Sequence, residues 1–249
     1  MEAERRQVTV LFADMVGFTA FSERSGEEAA FTLMQSLAAL MEDAVREQGG
    51  VVQGFTGDGI MAVFGAPVAH EDAPLRACRA AMAILEKVKA AGADLEARHG
   101  VWPQLRIGLN SGPAVVGKVQ GGADADVTVL GDTVNVAARL QALAEPGSAI
   151  MSDAMHRPVE GLVEAGFVGE HQIRGKSDAQ KAYRLDRIHE RATRFDFKVQ
   201  RGLTRYVGRQ REMETLERAF RAIGDAAGQH CRRAGHPTEE SRRGLSGPT

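Results

Sequence analysis

Val8-Thr9-Val10-Leu11-Phe12-Ala13-Asp14-Met15-Val16-Gly17-Phe18-Thr19 is the stretch that decides the fold of this chain. Its first six residues are apolar or β-branched and predict a buried strand ending on a carboxylate, with Met15 to Thr19 following as a turn. On its C-terminal side, Leu33, Met34, Leu37, Leu40, Met41 and Val45 recur at spacings of three and four. They predict a helix from about Glu27 to Glu47, stopped by Gly49-Gly50. Val51 to Gln53 and Ile60 to Phe64 read as strands joined near Gly57-Asp58-Gly59, where the flanking glycines permit a tight hairpin. A second helix is expected from about Glu71 to Arg98, with Pro74 in its first turn, where a missing N–H does no harm. Strands are expected at 105–108, 114–119 and 127–130, then a short helix from Gly131-Asp132 to about Leu143, then strands at 167–173 and 182–185. Hairpins join several of these strands, so the pattern predicts an antiparallel-rich α+β sandwich rather than a doubly wound parallel sheet.

The 249 residues, 43% hydrophobic and 26% charged, are enough to build one large buried core. The net charge of −2 conceals an asymmetry. Residues 1–185 carry 17 Lys and Arg against 24 Asp and Glu, whereas residues 186–249 carry 14 against 9. The acidic part is unsuited to non-specific nucleic-acid binding, which rewards dense positive charge. Two cysteines, Cys78 and Cys231, make no disulfide scaffold and point to a reducing compartment. No apolar run approaches the roughly 20 residues of a membrane span, and the acidic start is unlike a signal peptide. The expectation is a cytoplasmic protein with neither membrane nor nucleic acid as partner. Past Leu185 the character changes. Residues 186–205 read as a basic linker, and Met213, Leu216, Ala219, Phe220 and Ile223 take helical spacing within 206–225. Residues 226–249 hold too little apolar surface to offset ordering entropy and are expected to be disordered.

Several residues can carry chemistry. Asp14 ends a strand and Asp58 sits at a hairpin tip, so pairing of the two strands would bring both carboxylates to one edge. Two facing carboxylates repel, and a pair of Mg²⁺ or Mn²⁺ ions removes that repulsion. Taken singly, Asp14 serves equally well as a cap and Asp58 as a turn residue. Gly17-Phe18-Thr19 can offer backbone N–H groups to a polyphosphate as the next helix begins. Asn135 and Arg139 stand four apart on one helix face, where an amide and a guanidinium can stabilise charge developing at phosphorus. Taken singly they are an ordinary polar residue and a surface arginine. Gly175-Lys176-Ser177 is not the end of a phosphate-binding P-loop, because the required glycine five residues earlier is Glu170. The seven histidines show no metal-ligand spacing.

Four segments, 11–19, 57–65 (Gly57-Asp58-Gly59-Ile60-Met61-Ala62-Val63-Phe64-Gly65), 106–112 (Arg106-Ile107-Gly108-Leu109-Asn110-Ser111-Gly112) and 131–140 (Gly131-Asp132-Thr133-Val134-Asn135-Val136-Ala137-Ala138-Arg139-Leu140), together resemble the class III nucleotidyl cyclase catalytic domain. The resemblance spans 1–185 and implies a ferredoxin-like α+β domain that works as a homodimer with active sites across the interface. It implies Asp14 and Asp58 as ligands of two Mg²⁺ or Mn²⁺ ions per site, with the Met15 carbonyl as a further ligand. Val16, Gly17, Phe18 and Thr19 would cradle the triphosphate. Asn135 and Arg139 would act on the transition state from the partner chain, and Arg174 would contact phosphate. The implied reaction converts ATP to 3′,5′-cyclic AMP by in-line attack of the ribose 3′-hydroxyl on the α-phosphorus, with pyrophosphate leaving.

One departure bears on substrate. Adenylate cyclases of this family usually carry a base-reading lysine four residues before the second metal aspartate, and here that position is Gly54. Its partner position is Thr128, whose hydroxyl both donates and accepts. Purine selectivity is therefore expected to be weak or supplied by another residue, with GTP as the alternative substrate. A catalytically weak nucleotide-binding regulatory module, and a plain ferredoxin-like domain without nucleotide chemistry, are the competing readings. Tyr206-Val207-Gly208-Arg209-Gln210-Arg211-Glu212-Met213-Glu214-Thr215-Leu216 resembles the opening of an AAA/STAND-type ATPase domain whose phosphate loop is missing, as in a truncated or frameshifted product.

Overall fold

The computed structural model describes residues 3–55, 57–118, 127–172, 179–189, 212, 214–216 and 218. The elements are β1 (Glu4–Met15), α1 (Phe18–Ser25), α2 (Glu27–Glu47), β2 (Val51–Phe55), β3 (Gly59–Phe64), α3 (Ala73–His99), β4 (Leu105–Lys118), β5 (Val127–Leu130), α4 (Asp132–Leu143), β6 (Ser148–Ser152), α5 (Asp153–Val159), β7 (Val163–His171) and β8 (Gln180–Ile188). All lie in a compact unit, Met1–Gln200. In a second unit, Arg201–Thr249, the described positions 212, 214–216 and 218 are helical. Most of the expected linker, ATPase-type opening and tail lies outside the described residues. No helix among the described residues is long and apolar enough to cross a membrane.

The first four strands, with α2 and α3 as crossovers, give the order β2-β3-β1-β4, with every neighbouring pair antiparallel. This is the split βαβ arrangement of ferredoxin-like folds. β6, β8 and β7 extend the sheet beyond β4, β5 pairs β4 off that path, and β4–β6 is the parallel pair. The α+β expectation holds.

β1 is central because both its faces are apolar. Leu11, Ala13 and Met15 join one core cluster with Leu33, Leu37 and Met41 of α2 and Ala77, Ala81 and Ile84 of α3. Val8 and Val10, with Phe12 packed against them, join a second cluster with Val129 of β5 and Ala137 of α4. Each large side chain buried this way contributes about 1.5–3 kcal/mol. Side chains alternate along a strand, so Asp14 belongs to the face covered by α4, not to the α2–α3 face.

Four elements depart from expectation. The stretch expected to be only a turn after Met15 continues into helix α1, which buries Phe21 alone and so lacks a readable apolar stripe. β4 is one strand of 14 residues rather than two. It runs through Pro113 because that edge of β4 carries no strand between its pairing with β6 at 106–109 and with β5 at 115–118. The short β6 and α5 were not expected at all.

α4 lies unusually close to β4. A Cβ on Gly108 would sit 2.2 Å from the Ala137 carbonyl oxygen and 2.3 Å from the Gln141 nitrogen, so no side chain fits there. Gly108→Ala should therefore push α4 outward, cost about 1–3 kcal/mol and lower the melting temperature by several degrees. Gly54→Ala, whose Cβ meets nothing within 4 Å, should leave it near the wild-type value. Thermal denaturation followed by circular dichroism checks both.

Candidate active site

Asp14 and Asp58 come together through backbone pairing. Asp14 stands opposite Gly59 in the β1–β3 ladder, and the Met15 N–H donates to the Asp58 carbonyl at 3.1 Å. A Cβ on Gly59 would lie 2.1 Å from the Ala13 carbonyl oxygen, so only glycine lets the Asp58 turn close this tightly. The two carboxyl groups are within hydrogen-bond reach. Burial, then the Asp58 hydrogen bond and charge, push the Asp14 carboxyl from its ordinary 3.8 up to about 7, although the Gln141 amide and the Met15 N–H pull it down. One proton, or a cation, has to sit between the two groups. The donor set of two carboxylates and a neighbouring backbone carbonyl is hard oxygen, which suits Mg²⁺ or Mn²⁺. Among the described residues no group of three or more His, Cys, Asp or Glu converges. The oxygen donors present fit the expected ions.

Val16 to Thr19 leads from this pair into α1. The Val16 N–H donates to the Gln104 carbonyl at 2.9 Å, Gly17 takes φ 71°, and the Gly17 carbonyl accepts from Phe21 at 3.0 Å. No side chain caps the start of α1, so its first N–H groups remain available to an anion. α4 is pinned from its N-terminal end. Asn110 Nδ2 donates to the Thr133 carbonyl at 3.0 Å, Thr133 Oγ1 donates to the Pro113 carbonyl at 2.8 Å, and Ser152 Oγ donates to Asn110 Oδ1 at 2.6 Å. The segment Asn110-Ser111-Gly112 is therefore scaffold for α4. Asn135 is exposed and Arg139 half-buried on one face of that helix. Gln141 follows Arg139 by about 200° of helical turn, so it faces the opposite way. It is Gln141 that reaches its own chain's Asp14, with Nε2 donating to Oδ2 at 3.3 Å.

The sequence profile described as "Adenylate and Guanylate cyclase catalytic domain" matches residues 1–187. The chain belongs to this family. It is 31% identical over 185 residues to adenylate cyclase 1 of Rhizobium meliloti, covering 74% of this chain and 28% of that protein. It is 30% identical over 145 residues to the receptor-type guanylate cyclase gcy-23 of Caenorhabditis elegans, covering 58% of this chain and 13% of that one. The chain thus spans about a quarter of the length of the first relatives it matches. Among solved structures, the guanylyl cyclase Cya2 superposes with a TM-score of 0.73 at 25% identity, covering 78% of this chain and 98% of that chain. The guanylate cyclase domain of RhGC from Catenaria anguillulae, in complex with GTP, gives 0.68 at 26%, covering 75% and 100%.

Within the cyclase domain, the structure gathers Asp14, Met15, Asp58 and Val16 to Thr19 at one end of the sheet. It turns Asn135 and Arg139 away from the contact that α4 makes there. Gly54 lies on β2 and Thr128 on β5, two strands that approach each other. Arg174 lies outside the described residues. Two residues escaped the sequence reasoning. Arg106 stands opposite Asp14 across the β1–β4 ladder, hence on the same face, and its buried Nε has no partner among the described residues. A lone charge in the apolar run Leu105-Arg106-Ile107 was the available signal. Gln141 had no signal, because its contact depends on how closely α4 packs over Gly108.

These shifts fix a pH dependence. In the metal-free domain the folded-state pKa of Asp14 lies above its unfolded value. The associated stability is full below about pH 4 and is lost as pH rises through about 7. A divalent cation replaces the proton, so it stabilises more where the proton is already absent. The rise in melting temperature produced by Mn²⁺ should be small at pH 6 and larger at pH 8; equal rises at both would contradict this account. Gln141→Ala should weaken the Mn²⁺ midpoint in the same titration by about tenfold.

Proposed function

We propose that this domain is a nucleotidyl cyclase of the adenylate cyclase type, converting ATP to 3′,5′-cyclic AMP and pyrophosphate. The observation that supports it most is the Asp14–Asp58 pair, two carboxyl groups that take up a proton or a cation between them and lie just ahead of an uncapped helix. Two Mg²⁺ or Mn²⁺ ions held by Asp14, Asp58 and the Met15 carbonyl would lower the pKa of the ribose 3′-hydroxyl and balance charge on the phosphate oxygens.

The chain's own residues then do the positioning. Backbone N–H groups of Gly17, Phe18 and Thr19 hold the polyphosphate, with Val16 tied to Gln104 at its edge, and the Arg106 Nε, without a partner among the described residues, donates to a phosphate oxygen. The 3′-oxygen attacks the α-phosphorus in line as the bond to the pyrophosphate oxygen breaks. Asn135 and Arg139 stabilise the charge that develops there. Because they face away from their own chain's carboxylates, they serve the site of a second copy, which makes the working unit a homodimer. Arg174 completes the phosphate contacts. Each group contributes placement and charge, so most of the rate acceleration comes from orientation and preorganised electrostatics.

Gly54 favours a second reading, in which both ATP and GTP are accepted or turnover is slow enough that nucleotide binding itself is the function. The 206–216 segment is the basis for reading the catalytic domain as joined to the opening of an AAA/STAND-type partner domain.

The full chain with ATP and Mn²⁺ should form cyclic AMP, and Asp58→Ala should lower the rate at least a hundredfold. Asp14→Ala and Arg139→Ala, each inactive alone, should together recover about a quarter of wild-type activity when mixed, because half of the dimers are hybrids with one intact site. Chromatographic detection of the product reads both. No recovery in the mixture places Asn135 and Arg139 in their own chain's site.

A further inference from the structure

We propose that Gln53 reads the purine base in this domain, taking over from the missing side chain at Gly54. The assignment rests on the nucleotide reading above and on one irregularity of β2. Val52 pairs Ala62 and Gly54 pairs Met61, so two steps along β2 match one step along β3. Gln53 is the extra residue of a β-bulge. Its consequence for side-chain direction follows from the register. Ala62 lies in the core cluster beneath α2 and α3, and Val52, its partner, faces the same way and packs against that cluster. Met61 packs against the cluster on the α4 side, the face that carries Asp14. Gly54, opposite Met61, belongs to that face. Alternation from Val52 also turns Gln53 onto it. In a regular strand two consecutive residues point to opposite faces; here the bulge gives both to one, which is how bulges re-aim side chains.

Gln53 is thus a half-buried amide beside a residue with no side chain, on the face of the metal carboxylates. An added Cβ at Gly54 meets nothing within 4 Å, so the space next to Gln53 is open. β5, which carries Thr128, also comes close to β2. An amide suits a purine edge because it has one acceptor and one donor side by side. Against adenine, Nε2 donates to N1 and Oε1 accepts from the 6-amino group. Against guanine, rotation by half a turn lets Oε1 accept from N1–H and Nε2 donate to O6. A lysine ammonium, which only donates, lacks this reversibility. Gln53 therefore provides a hydrogen-bonded base site that accepts both purines, with discrimination left to the Thr128 hydroxyl.

Calorimetry on the full chain with Mn²⁺ tests this, using α,β-methylene analogues of ATP and GTP and, as a base-free control, inorganic tripolyphosphate. Gln53→Ala should weaken both nucleotide analogues about tenfold and leave tripolyphosphate unchanged, which also shows that the variant is folded. Gln53→Glu presents acceptors only. It should favour guanine, whose N1–H and 2-amino group both donate, and move the GTP-to-ATP affinity ratio upward at least tenfold. A merely structural role at this edge-strand position would not shift that ratio. Unchanged nucleotide affinities in Gln53→Ala, or an unchanged ratio in Gln53→Glu, overturn the assignment while leaving the cyclase reading intact. Failure of the wild-type chain to bind tripolyphosphate overturns the cyclase reading, and this assignment with it.

Discussion

The site depends on two carboxyl groups that cannot move apart. Asp14 and Asp58 are held by the β1–β3 ladder and by the Met15 N–H on the Asp58 carbonyl, so their mutual repulsion has no conformational escape. It is met by a proton or by a cation; burial first, and the Asp58 hydrogen bond and charge after it, raise the Asp14 carboxyl and so favour the proton when no cation is bound. The rest of the domain serves this constraint. The α2–α3 layer makes the central strands rigid enough to bear it. The chain leaving Asp14 enters α1 with free N–H groups, and Arg106 stands opposite Asp14 in the β1–β4 ladder.

α4 is the second fixed element, and polar contacts do as much as packing to fix it. Asn110, Thr133 and Ser152 tie its beginning to β4 and β6, and Gly108 admits its middle at backbone distance. A helix held so closely presents two faces with different tasks. Gln141 on the inner face steadies Asp14, while Asn135 and Arg139 stand on the other face. The motif from Gly131 to Leu140 therefore owes part of its pattern to packing and part to chemistry.

Much of this was legible in the residues. The strand ending on Asp14, the glycine-flanked Asp58, helices α2 and α3 and the Asn135–Arg139 spacing all follow from local pattern, because each depends on periodicity or on turn geometry. What was not legible depends on register or on contact between distant segments. Arg106 acquires its meaning only from lying opposite Asp14, and Gln141 only from the closeness of α4 to β4. α1, β6 and α5 are short, and each is held by few apolar residues, so no period could emerge. β4, expected as two strands, is continuous through Pro113 because its neighbour changes from β6 to β5 along its length.

The bulge at Gln53 has a bearing on solubility as well as on substrate. β2 is the outermost strand on its side of the sheet, and it exposes Val51 and Phe55. An outermost strand of this kind invites a strand from another molecule to continue the ladder. The irregularity between Val52 and Gly54 breaks the even spacing of donors and acceptors that such a strand would have to match. Edge-to-edge growth into fibres is thereby discouraged.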